Sequence, residues 1–168
     1  MSWKTKPFYN RLTYSQLTLI FRQLEMEIRS DRAEAIPIPN ISVEYIMPQQ
    51  WTDNYPLAGD VIPKEMNVEW FFGCTEDEKE RYEHLRPLIQ QRRNLIHSVG
   101  NLTAVTQMLN AAMRNAEFSE KKQYLRESVL ALNRYFDQVS DWNECAIEDR
   151  ADSLLYHART LWCGPSAS

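Results

Sequence analysis

No stretch of the 168-residue sequence approaches the run of about 18 apolar residues that crosses a bilayer, and Met1-Ser-Trp-Lys-Thr-Lys6 has no apolar signal core behind it. Neither a membrane span nor a secretory leader is therefore expected. Cysteine is scarce: Cys74, Cys145 and Cys163 are odd in number and lack C-x-x-C spacing, which argues against a disulfide framework and a zinc knuckle. A reduced, cytoplasmic setting follows as the expectation. Positive charge is also short, with 19 Lys and Arg against 23 Asp and Glu. Any nucleic-acid contact must then come from a local basic face rather than from net charge. Internal repeats and low-complexity segments are missing too. What remains is a chain with 43% hydrophobic residues, enough to bury one core, and one domain over 1–168 is expected.

Apolar residues at 17, 20, 21, 24 and 28 lie at the i, i+3, i+4, i+7 spacing of a helix over 14–29. Leu17, Ile20, Phe21, Leu24 and Ile28 form its core face, and Ser30-Asp-Arg-Ala-Glu34 ends it. Pro37 and Pro39 cannot continue a helix. Ile41 to Met47 alternates as a strand of about 5–7 residues, closed by Pro48. The irregular stretch 49–75 reads as a loop with an aromatic cluster of Trp51, Trp70, Phe71 and Phe72. Thr75 and Glu78 have the spacing of a capping box, predicting a helix to about Arg93 with Tyr82, Leu85, Leu88 and Ile89 inward and a bend at Pro87. Leu95–Val99 reads as a short strand before a Gly100-Asn101 turn. Asn101 to Asn110 suits a turn, a short extended segment and the first turn of a helix. Ser119 is expected to cap a helix whose apolar spacing continues to Phe136, and a last helix runs from Ile147 to Trp162, stopped by Gly164-Pro165.

Two short pieces carry candidate chemistry. Ile41–Trp51 puts Glu44 near the end of a strand, where its carboxylate can point into a site, and Val99–Asn110 supplies Asn101 and Asn110. A hard divalent cation takes oxygen ligands, one or two from protein and the rest from water and phosphate. Glu44 and Asn110 offer a carboxylate and an amide oxygen, the right donor types, while Asn101 at the turn suits holding the loop. The bland alternatives are a solvent-facing acid for Glu44 and an ordinary helix N-cap for Asn110. His84 and His157 sit among charged neighbours and are expected at the surface.

Glu44-Tyr-Ile-Met-Pro-Gln-Gln50 resembles the acid-His-apolar-apolar-Pro-Gln stretch of HNH (ββα-metal) nucleases, and Asn101…Asn110 resembles their Asn-x8-Asn pair. Leu24-Glu25, Gly100-Asn-Leu-Thr103, Leu109-Asn110, Phe118-x-x-Lys-Lys122, Trp142-x4-Ile147-x2-Arg150 and Trp162 together are similar to the C-terminal nuclease domain of GmrSD-type, modification-dependent restriction enzymes. The resemblance implies an α+β fold, predominantly helical: a helical part at 10–35, a ββα-metal core at about 40–118, and C-terminal helices at 119–163. It implies an endonuclease that nicks or cleaves DNA, modified phage DNA included, using one Mg²⁺ or Mn²⁺ and working beside an NTP-using sensor domain or subunit. By position, Glu44 and Asn110 become the metal ligands, Asn101 the residue holding the site loop, and Lys121, Lys122 and Arg126 the DNA-facing cations; Arg92 and Arg93 join them as dense basic positions flanking the site, against the bland reading of solvated helix faces.

One residue departs from the pattern: the general-base His is Tyr45. A phenol with a pKa near 10 is a poor water-activating base, and loss of a general base commonly costs about 10²–10⁴ in rate. A weakened or inactive nuclease is expected, whether by natural loss or by replacement of a His, unless another group such as His97 substitutes. The alternatives from other classes are a non-catalytic DNA-binding or protein-interaction module that keeps the fold, and a purely helical scaffold.

Overall fold

The computed structural model describes residues 3–29, 37–57 and 75–162. Among them run the helices α1 (Phe8–Arg11) and α2 (Tyr14–Arg29), strand β1 (Ile41–Tyr45), helices α3 (Glu76–Tyr82) and α4 (Arg86–Ile96), strand β2 (Leu102–Thr106), and helices α5 (Gln107–Met113), α6 (Phe118–Arg126) and α7 (Glu144–Trp162). Short 3₁₀ segments punctuate them at Trp3–Thr5, Glu83–Leu85, Val99–Asn101 and Ala131–Gln138. The result is an α+β architecture, mostly helical around one small antiparallel sheet. The expected aromatic partners Trp70, Phe71 and Phe72, the helix end at 30–34 and the stop at Gly164-Pro165 lie outside the described residues.

Helix α2 forms where its periodicity predicts. Thr13 and Gln16 exchange hydrogen bonds at its start, Thr13 N–H to Gln16 Oε1 (2.9 Å) and Gln16 N–H to Thr13 Oγ1 (3.3 Å), a reciprocal cap. Leu17, Phe21 and Leu24 are buried, with Ile20 and Ile28 partly buried against the same core. Glu25 interrupts that apolar face as a fully buried carboxylate. It accepts the backbone N–H groups of Ala131 (2.8 Å) and Leu132 (2.9 Å) and pairs with Arg29.

Three predicted elements are corrected. The helix expected from 75 to about 93 is two helices, because the chain tightens into the 3₁₀ turn Glu83–Leu85 and restarts with Pro87 in the first turn of α4, where a missing N–H costs nothing. Leu95–Val99 is not a strand. Leu95 and Ile96 end α4, Ser98 N–H returns to the Leu95 carbonyl (2.9 Å), and a 3₁₀ turn follows. Gly100 in that turn packs so tightly on α7 that a Cβ would lie 2.1 Å from the Ile147 carbonyl oxygen. The helix expected to run on to Phe136 ends at Arg126 and gives way to the 3₁₀ helix Ala131–Gln138. Its first donors go to side chains: Glu25 takes two, and Ser128 Oγ accepts from Leu130 N–H (3.2 Å). Ser119 does not cap α6; Glu117 occupies the cap position and its carboxylate accepts the Ser119 hydroxyl.

The strands pair from Ile41 opposite Thr106 to Tyr45 opposite Leu102, placing Glu44 opposite Thr103. β2 passes directly into α5, whose N-cap is Thr106, its hydroxyl accepting Leu109 N–H. Asn110 therefore lies inside the helix and is not its cap. The order strand, antiparallel strand, helix brings Glu44 and Asn110 onto neighbouring elements.

Candidate functional site

Successive side chains of a strand point to opposite faces, and residues two apart share a face about 7 Å from each other. Ser42 and Glu44 thus share one face of β1, Val43 and Tyr45 the other. Asn110 meets the first face: its Nδ2 donates to Ser42 Oγ at 3.1 Å. The structure brings Glu44, Ser42 and Asn110 to one side of the sheet. Ser42 escaped sequence reasoning, although the period of two from Glu44 pointed to it.

Glu44 is half-buried, and that burial pushes its carboxyl above the ordinary range, while the Tyr45 N–H and the charge of Lys121 partly offset the shift. Lys121 is 0% exposed and donates from Nζ to the Tyr45 carbonyl at 2.9 Å. Burial brings its ammonium down to about 8, with Glu44 pulling the other way. Arg92 is 2% exposed, donating to Glu144, to the carbonyls of Tyr55 (2.7 Å) and Pro56 (3.1 Å), and lying 4.5 Å over the Trp51 ring. Both cations were expected along a DNA backbone; both are spent inside the protein. Lys122 is partly buried and donates to the Val139 carbonyl (2.7 Å). Arg93 and Arg126 are exposed, the latter 3.4 Å from Asp137.

The Tyr45 position is closed. Tyr45 is 6% exposed, its ring 4.7 Å from that of Tyr9, and its hydroxyl lies 2.8 Å from His97 Nδ1. Burial first, and then Tyr9, push the phenol well above its usual value; Gln49 opposes this and Glu44 adds to it. Burial and Arg93 lower His97. The Tyr45 hydroxyl, which holds its proton, and His97 Nδ1 share one hydrogen bond whose direction follows the His97 tautomer. His97 caps α4 from the end and meets Tyr45 rather than the Ser42 face.

Asn101 is 0% exposed and fully engaged. Its Oδ1 accepts from Met47 N–H (2.8 Å) and Trp142 Nε1 (2.9 Å), and its Nδ2 donates to the carbonyls of Met47 (2.8 Å) and Ile96 (2.9 Å). It pins the turn after β1 to the end of α4. Arg150 braces the other side, donating to the Gly100 carbonyl (3.1 Å), the Leu102 carbonyl and Thr103 Oγ1 (3.0 Å).

Among the described residues no three His, Cys, Asp or Glu side chains gather into a metal cluster. A cation here would have Glu44 and Asn110 as its protein oxygens, with water and phosphate completing the shell. That donor set suits Mg²⁺, which keeps several waters. A carboxylate half-stripped of water, on the strand face where Asn110 reaches Ser42, is a donor type that suits a hard cation.

Among known proteins, the family model of the C-terminal domain of GmrSD restriction endonucleases matches residues 2–156. No curated protein and no solved structure matches the chain.

Proposed function

The chain belongs to the family of C-terminal domains of GmrSD restriction endonucleases, and from that premise we propose that it is a DNA endonuclease module of HNH type whose hydrolytic step is weakened at Tyr45. Glu44 and Asn110 would hold one divalent cation, Mg²⁺ or Mn²⁺. When bound, that ion supplies charge stabilisation at the phosphate and the leaving oxygen. The observation that carries the reading is the convergence of the Glu44 face of β1 with Asn110 of α5, tied by the Asn110–Ser42 hydrogen bond. Asn101 acts as a positioning residue, holding the turn at Met47. Tyr45 keeps its proton and shares a hydrogen bond with His97 Nδ1, so it takes none from an attacking water. Lys121 sits beside Glu44 as a counter-charge, and phosphate contacts fall to the exposed Arg93 and Arg126. The substrate would be modified phage DNA, selected by an NTP-using sensor partner.

The buried, proton-holding Tyr45 also favours a second reading, a DNA-binding module without cleavage. Nicking of supercoiled plasmid in Mg²⁺ or Mn²⁺ decides between them. Tyr45→His is expected to raise the rate about 10²–10⁴-fold, and adding Glu44→Ala to it to abolish the gain. Plasmid binding without nicking in both the parent and Tyr45→His establishes the second reading. Nicking that ignores Tyr45, Glu44 and Asn110 alike overturns the site.

A further inference from the structure

Helix α7, the 3₁₀ helix Ala131–Gln138 and the end of α2 line a cleft of about 320 Å³ whose lining includes none of Ser42, Glu44 and Asn110. Ile28 contributes to its apolar floor, and Arg134, Tyr135, Arg150, Ser153 and His157 supply its polar lining. Among the described residues no carboxylate lines it. Arg150 is 1% exposed, and its guanidinium lies 4.4 Å over the Phe136 ring. Its two terminal nitrogens are spent on β2 and the preceding turn, but its Nε is buried with no partner among the described residues. Nor does any described carboxylate form an ion pair with Arg150 or with Arg134, whose guanidinium goes to the carbonyls of Arg126 (3.0 Å) and Ser128 (3.3 Å). Asp149, felt by the Tyr135 phenol, is exposed and outside the cleft.

A buried cation with an orphaned donor is costly unless an anion or acceptor completes it. We propose that this cleft binds a phosphate monoester of mononucleotide size, whose phosphate sits between Arg150 and Arg134 with Ser153 and His157 as further hydrogen-bonding groups. Guanidinium forks recognise phosphate oxygens by geometry as well as charge. The cleft volume is at the small end of ligand pockets, and Tyr135 and His157 bring aromatic rings to its lining. This site stands whether or not the chain cuts DNA.

The test is thermal melting and calorimetric titration of the full chain with inorganic phosphate, a nucleoside 5′-monophosphate, the matching nucleoside, and sodium chloride at equal ionic strength. Both phosphates are expected to raise the melting temperature to a plateau, as ligands of the native state do; nucleoside and chloride are not. A nucleotide about tenfold tighter than phosphate identifies the nucleotide as the source, and near-equal affinities identify the phosphate group alone. Ser153→Glu and, one turn further along α7, His157→Glu each place a carboxylate in the cleft and should lose at least about tenfold in affinity. Arg159→Glu, exposed on the same helix outside the cleft, should retain it. Phosphate acting no better than chloride, or binding that survives both rim variants, overturns the proposal.

Discussion

Two neighbourhoods built from the same short motifs behave oppositely. Around Asn101, Arg150, Trp142 and Glu25, polar side chains are fully buried, and all but the Arg150 Nε are satisfied by backbone and ring donors or acceptors. On the Glu44 face the carboxylate is half-buried and shifted upward, its near cation Lys121 is depressed, and one amide contact to Ser42 ties the elements together. The first neighbourhood gains stability from its polar groups. The second holds its charges at a cost, as sites poised for a ligand do. Motif residues of one family thus divide between bracing the frame and populating the site, and only their hydrogen-bond partners tell which is which.

The largest effect expected is on the brace. Asn101→Ala strips partners from Met47, Ile96 and Trp142 in the interior. At about 1–3 kcal/mol for each buried group left unsatisfied, it should cost about 3–5 kcal/mol in denaturant unfolding. A loss under about 1 kcal/mol would mean that the turn is held some other way. The site should respond with the opposite sign. The folded state raises the Glu44 carboxyl above its unfolded value, so its ionisation favours unfolding, and stability from this group falls as pH rises through the carboxylate range. Glu44→Gln should therefore unfold later than the parent at pH 7, and the gap should close as pH falls below about 4. An unchanged or earlier midpoint at pH 7 would place Glu44 with the brace. The smallest effect belongs to the surface: Arg126→Ala, losing only the exposed contact with Asp137, should shift stability by under about 1 kcal/mol. Its readout is DNA affinity, where a flatter salt dependence is expected; an unchanged slope removes it from the phosphate contacts.

Much of the frame was legible before any coordinates. Helix α2 follows its apolar period, β1 its alternation, and the passage from β2 into α5 the Gly-Asn turn and the polar residues beyond it. Errors fell where one apolar pattern served two structures. Leu95-Ile-His-Ser-Val99 looks like a strand, yet it closes a helix because Gly100 must seat against Ile147. Tyr124 to Phe136 keeps helical spacing, yet Glu25, about a hundred residues earlier, takes the N–H groups that would start another α-helical turn. The burial of Lys121 and Arg92 was equally hidden, since a cation's sequence neighbours do not disclose whether its head reaches water or an interior carbonyl.

By itself the sequence determined which chemistry is available: Glu44, Asn101 and Asn110 at the spacing of the motif they resemble, a phenol where that resemblance implies an imidazole, and a helical frame around a short strand pair. Those are local facts, set by residue type and by periods of 2 and 3.6. Tertiary structure alone decided that Asn101 is saturated, that Tyr45 faces His97, that Lys121 neighbours Glu44, and that Arg150 is left with an unpaired donor over a cleft. The reason is physical: burial and hydrogen-bond satisfaction depend on what the rest of the chain brings alongside, and desolvation then sets each group's charge.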